Sequence, residues 1–65
     1  MNVLIWKIRY DRQLSLRKME QLTSIPRSTL HEIESGQVMP RLDQLENIAK
    51  GLNLKITDLF DSDFK

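Results

Sequence analysis

Between Arg27 and Ser35 the chain gathers five groups able to hydrogen-bond a flat polar edge. They are the guanidinium of Arg27, the hydroxyls of Ser28 and Ser35, the imidazole of His31 and the carboxylate of Glu32. On a helix turning about 100° per residue, Ser28, His31, Glu32 and Ser35 share one side, while Leu30, Ile33 and Glu34 share the other. Arg27 lies toward one edge in the first turn, where a long side chain reaches forward. Such a face suits base-edge reading: arginine pairs bidentately with guanine, serine is permissive, and glutamate accepts from the cytosine amino group. A solvated helix face is polar too, so the flanking elements decide between the two readings.

Those elements read as a helix, a tight turn and a second helix across Leu14 to Gly36. Ser15 is a good N-cap, and Leu16, Met19 and Leu22 are the apolar positions that follow it. Thr23-Ser24 breaks the first helix. Pro26 sits at or beside the start of the next, where its missing N–H is harmless. That helix runs to about Ser35, and Gly36 ends it as a left-handed residue.

An earlier helix is expected from Asn2 to Arg12, with Leu4, Ile5 and Ile8 on one stripe. Val3, Trp6 and Tyr10 make a second apolar stripe on nearly the opposite side. It needs cover, either from the chain's own Phe60 or Phe64 or from a partner molecule. Beyond Pro40, Leu42, Leu45, Ile48, Ala49 and Leu52 predict an amphipathic fourth helix, ended by Gly51 and Asn53. Leu54, Ile56, Leu59 and Phe60 predict a short fifth helix or turn, and residues 61–65 a frayed tail. No β-alternation stands out. The expectation is an all-α, compact five-helix domain spanning 1–65, with its core in about 2–60.

Sixty-five residues allow one domain with a modest core. The composition, 40% hydrophobic and 29% charged, is that of a soluble globular chain. No apolar run approaches the length that spans a bilayer, and the opening Met-Asn-Val-Leu-Ile-Trp lacks the basic lead and cleavage site of a signal peptide. These features predict a cytoplasmic protein, nucleoid-associated if it binds DNA, with no membrane partner. Cysteine is absent and His31 is the one histidine. The His31/Glu34 spacing imitates a metal pair, but two ligands do not make a site. The two glycines, Gly36 and Gly51, form no phosphate loop. The expectation is therefore no enzyme, no metal, no cofactor and no evident small-molecule ligand.

Net charge is +1, but it is unevenly placed. Residues 1–31 carry six basic groups and two acids, +4; residues 32–65 carry four basic groups and seven acids, −3. A phosphate backbone would meet the basic half first. Glu34, on the buried side of its helix, needs a partner. Arg9, one residue past Ile8, is the predicted one, in a structural ion pair that also turns the guanidinium toward phosphates.

These residues together resemble the Cro/CI-type helix-turn-helix family, also called the xenobiotic-response-element family, of bacterial and phage regulators. The resemblance covers about Ile5 to Phe60. It rests on Ile5…Ile8-Arg9, Leu14-Ser15, Met19, Arg27-Ser28-Thr29-Leu30, Ile33-Glu34, Gly36, Pro40, Leu42, Leu45, Ile48-Ala49-Lys50 and Leu59-Phe60. The resemblance implies five helices with the third in the major groove. It places base contacts on Arg27, Ser28 and Glu32, joined by His31 from the wheel. Phosphate contacts fall on Arg9, Ser15, Leu16, Thr29, Ser35 and the loop to Arg41.

The chain also departs from the family pattern. Leu16 replaces a Gln that often contacts DNA in the family, so that contact is lost or passes to Arg17. Glu20 replaces a small Ala where the second and third helices cross closely, so either the crossing opens or the carboxylate pairs with Arg17 or Arg27. Ser24 replaces the turn glycine, Pro26 replaces a capping Ser, and Gln37-Val38-Met39 lacks the usual basic residues. Two functions stay in view. The first is a sequence-specific double-stranded DNA-binding transcriptional regulator, such as a repressor, acting as a homodimer on palindromic half-sites. The second is an antitoxin-like or adaptor interaction module on the same fold.

Overall fold

A computed structural model describes residues 1–65. The chain runs β1 (Asn2–Val3), α1 (Ile5–Asp11), α2 (Leu16–Thr23), α3 (Arg27–Glu34), α4 (Leu42–Leu52), one turn of 3₁₀ helix (Ile56–Asp58) and β2 (Phe60–Asp61). The five-helix, all-α expectation is thus corrected to four α-helices, a 3₁₀ turn and a small sheet. β1 and β2 pair antiparallel, Asn2 opposite Asp61 and Val3 opposite Phe60. The Leu4 N–H extends the pairing by donating to the Leu59 carbonyl at 2.8 Å. Two-residue strands are too short to show alternation, and their partners lie at opposite ends of the chain, so no local pattern announces them.

The sheet also corrects both chain ends. Helix α1 begins at Ile5 rather than Asn2, so Val3 belongs to a strand and not to a helical stripe with Trp6 and Tyr10. Asp61 is paired rather than frayed. The last residue folds back, Lys65 Nζ donating to the Phe60 carbonyl at 3.0 Å.

The core is one cluster: Ile5, Met19, Ile25, Leu30, Ile33, Leu45, Ile48, Ala49, Leu52 and Leu59. Helix α2 packs against both α3 and α4. Two expected stripe positions stay outside. Leu42, the first residue of α4, is 77% exposed, and Leu22 is also exposed. Leu22 falls at the margin of the buried Met19–Thr23 line of α2. Thr23 is buried without loss, since its hydroxyl donates to the Met19 carbonyl at 2.7 Å and accepts from the Ile25 N–H at 3.3 Å.

Gly51 was expected to end α4 but lies inside it. Its role is close approach: a Cβ there would overlap the Leu22 carbonyl, so only glycine lets α4 meet the end of α2. Asn53, at φ +57°, ends the helix. Each helix is followed by a left-handed residue, Gln13, Ser24, Gly36 and Asn53 in turn, and only Gly36 is a glycine. At Gly36 the closure is a Schellman motif. The Gln37 N–H donates to the Glu32 carbonyl at 3.0 Å and the Gly36 N–H to that of Ile33 at 3.2 Å.

Candidate nucleic-acid interface

Helix α3 is held from behind by Leu30 and Ile33, both almost fully buried. On its front, Arg27, Ser28, His31 and Ser35 are exposed, while Thr29 and Glu32 are half-buried. The wheel drawn from the sequence therefore matches the two faces in space. The Ser35 hydroxyl donates to the Glu32 carbonyl at 3.2 Å, which closes the last turn.

The start of α2 lies one element away. The Ser15 hydroxyl accepts the Lys18 N–H at 3.0 Å, as an N-cap does, and keeps its own proton as a donor. Arg17 and Lys18 are exposed and take part in none of the three ion pairs. The positive end of the helix dipole and two free cations thus coincide. The adjacent Arg17-Lys18 run in the sequence is the signal that Lys18 shares this position. Leu16 turns inward and packs on the core, so its side chain offers nothing to a phosphate.

At the far end of α3, Arg9 and Glu34 meet in a two-point ion pair. Arg9 Nε donates to Glu34 Oε2 at 2.8 Å and Nη2 to Oε1 at 3.0 Å, while Nη1 donates to the Leu14 carbonyl at 3.0 Å. The side chains are 24% and 9% exposed. Donating to the Glu34 carboxylate raises the Arg9 pKa above its ordinary value, outweighing the opposing effect of burial. One guanidinium therefore joins α1, the α1–α2 turn and α3.

At the near end, Pro26 has no side-chain oxygen to cap α3. Glu20 from α2 takes over. Its Oε2 accepts the Arg27 N–H at 3.2 Å, and its Oε1 lies 3.2 Å from Arg27 Nε. Of the two partners open to Glu20 in the sequence, Arg17 and Arg27, the fold selects Arg27.

Two further arginines, Arg41 and Arg12, are engaged within the protein. Arg41 pairs with Asp43, Nε to Oδ1 at 3.0 Å, in full view of solvent, and this contact holds the Asp43 carboxyl below its ordinary pKa. Arg12 Nη1 donates to the Leu52 carbonyl at 2.8 Å and so caps α4 where cations are favoured.

Trp6, 49% exposed, lines an open groove of about 340 Å³ with Val3, Ile33, Val38 and Met39. Neither Phe60 nor Phe64 belongs to that groove, and Tyr10 is open to solvent. No group of three His, Cys, Asp or Glu side chains is placed to hold a metal ion. No helix is long and apolar enough to cross a membrane.

A short helix capped by Ser15, a turn closed by Ser24, and a second helix with a buried back and a polar front define a helix-turn-helix DNA-binding domain. Residues 4–65 match the family of the Cro/C1-type HTH DNA-binding domain, and the chain belongs to that family. No curated protein and no solved structure gave a match.

Proposed function

We propose that this protein is a sequence-specific double-stranded DNA-binding regulator of transcription that places α3 in the major groove. The observation that carries this reading is the division of α3: Leu30 and Ile33 are buried while Arg27, Ser28 and His31 face outward, one element from Arg17 and Lys18. Base contacts fall to Arg27, Ser28, His31 and Glu32. Backbone contacts fall to Ser15, Arg17, Thr29, Ser35 and Arg41, with Lys18 added. Arg9 already spends three of its five N–H groups inside the protein, so it acts on phosphates through its charge and the two that remain. A homodimer on paired half-sites one helical turn apart is the assembly this reading implies. The setting is the cytoplasm, on the nucleoid.

The deciding measurement is duplex binding by fluorescence anisotropy across a salt series, followed by selection from a randomised pool. The reading requires binding that weakens steeply with salt and a selected motif. Sedimentation with and without the selected duplex reports the dimer. The exposed Trp6 and Tyr10 favour a second reading, an antitoxin-like or adaptor module that docks another protein. A chain that shifts no duplex at low salt belongs to that reading instead.

A further inference from the structure

One carboxylate meets one arginine twice, through a hydrogen bond from its backbone N–H and an ion pair with its side chain. Glu20 Oε2 takes the backbone N–H of Arg27 and Glu20 Oε1 faces its Nε, each at 3.2 Å. Glu20 sits on α2, which packs directly on α3, so the grip is fixed to the scaffold. We infer that Glu20 is a positioning residue that sets which base the protein selects. By holding the Nε side of Arg27 it aims the Nη1–Nη2 edge outward as a reader of guanine. This rests on α3 being the DNA reader.

A free arginine at the start of α3 has several rotatable bonds and can settle on the nearest phosphate as readily as on a base. Ordering it costs conformational entropy at the moment of binding. A guanidinium held at Nε has already lost part of that freedom. Its Nη1–Nη2 edge still carries donors spaced for the N7 and O6 acceptors of guanine. The same carboxylate adds negative charge beside the groove, which weakens attraction to any phosphate regardless of sequence. Both effects favour discrimination over raw affinity. Glu20 also does a second job, because Pro26 leaves α3 without a local cap, and the two jobs must be separated.

The test compares the wild type, Arg27→Ala, Glu20→Ala, and Glu20→Ala combined with Pro26→Ser. The added serine supplies a cap hydroxyl without restoring the grip on Arg27. Each is measured on the selected duplex, on that duplex with its Arg27-dependent guanine replaced, and on random duplex, with urea unfolding alongside. The wild type should prefer guanine by about ten-fold or more. Glu20→Ala should reduce that preference to about two-fold, with random-duplex affinity unchanged or higher. The double variant should recover the unfolding midpoint but not the preference. Guanine preference retained in Glu20→Ala, or regained with Pro26→Ser, overturns the inference and leaves α3 as reader. A wild type whose selection is unchanged in Arg27→Ala overturns the reading of Arg27 as base reader, and this inference with it.

Discussion

Two arginine–glutamate pairs hold α3, one at each end, and they differ in kind. At the C-terminal end Arg9 and Glu34 meet edge to edge, with 24% and 9% of their side chains exposed. At the N-terminal end Arg27 and Glu20 meet at one side-chain point, with 52% and 38% exposed. The first pair is largely removed from water and has a third hydrogen bond, to the Leu14 carbonyl. The second is wet and leaves most of its guanidinium free. Residue type alone would give the two pairs the same role. Burial separates them: the dry pair ties α1 to α3 away from water, and the wet pair leaves Arg27 half exposed. A charge buried with its partner is costly to orphan, whereas an exposed pair adds little to stability and is free to serve recognition.

Removing Glu34 should have the largest effect. Glu34→Ala strands the half-buried Arg9 and should lower unfolding stability by about 2–4 kcal/mol in urea titrations. A loss no larger than that of an ordinary surface substitution would show the pair to be solvated after all. Next in size, Arg27→Ala should weaken binding to a selected duplex by about 1–3 kcal/mol and relax preference at one base pair. Its unfolding free energy should move by no more than about 0.5 kcal/mol. Unchanged affinity would end the proposed role of Arg27.

Double-mutant cycles compare the two pairs directly. Arg9→Ala with Glu34→Ala should give a coupling of about 1–3 kcal/mol, and Arg27→Ala with Glu20→Ala about 1 kcal/mol or less. Equal couplings would erase the distinction. The smallest effect belongs to Asp43, whose pair with Arg41 is fully exposed. Asp43→Asn should leave the neutral-pH unfolding midpoint nearly unmoved while freeing Arg41, steepening the salt slope of DNA binding by about 1 at most.

The pH signs follow from the same contacts. Asp43 has a lowered pKa in the fold, so its small stabilisation is present above the ordinary carboxylate range and fades as acid titrates it. Any difference between the wild type and Asp43→Asn should therefore shrink in strong acid. Arg9 has a raised pKa, so its contribution is complete below the ordinary guanidinium value and is lost only in extreme alkali. From the guanidinium side, the α1–α3 tie is constant over any working pH.

Much of the fold is written in local order. The spacing of Leu30 and Ile33 fixes which face of α3 is buried, because helical periodicity acts within one segment. Ser15 as cap and Gly36 as left-handed terminator are equally local, each satisfied by residues two to four positions away. The Arg9–Glu34 pair was also legible, since a carboxylate on an apolar face demands a cation and Arg9 stood at the edge of the neighbouring stripe.

What the sequence could not decide were contacts between segments far apart in the chain. The β1–β2 pairing joins residues 2–3 to 60–61, and no periodicity can register strands of two residues. Gly51 looks like a helix terminator until α2 is seen against it. Glu20 had two equally good basic partners until the α2–α3 crossing selected Arg27. Local order in the sequence carried α2, α3 and α4 and the buried back of α3. Tertiary structure decided which charges are dry, which are free and where the two ends meet, because burial and ion pairing depend on distances that only packing sets.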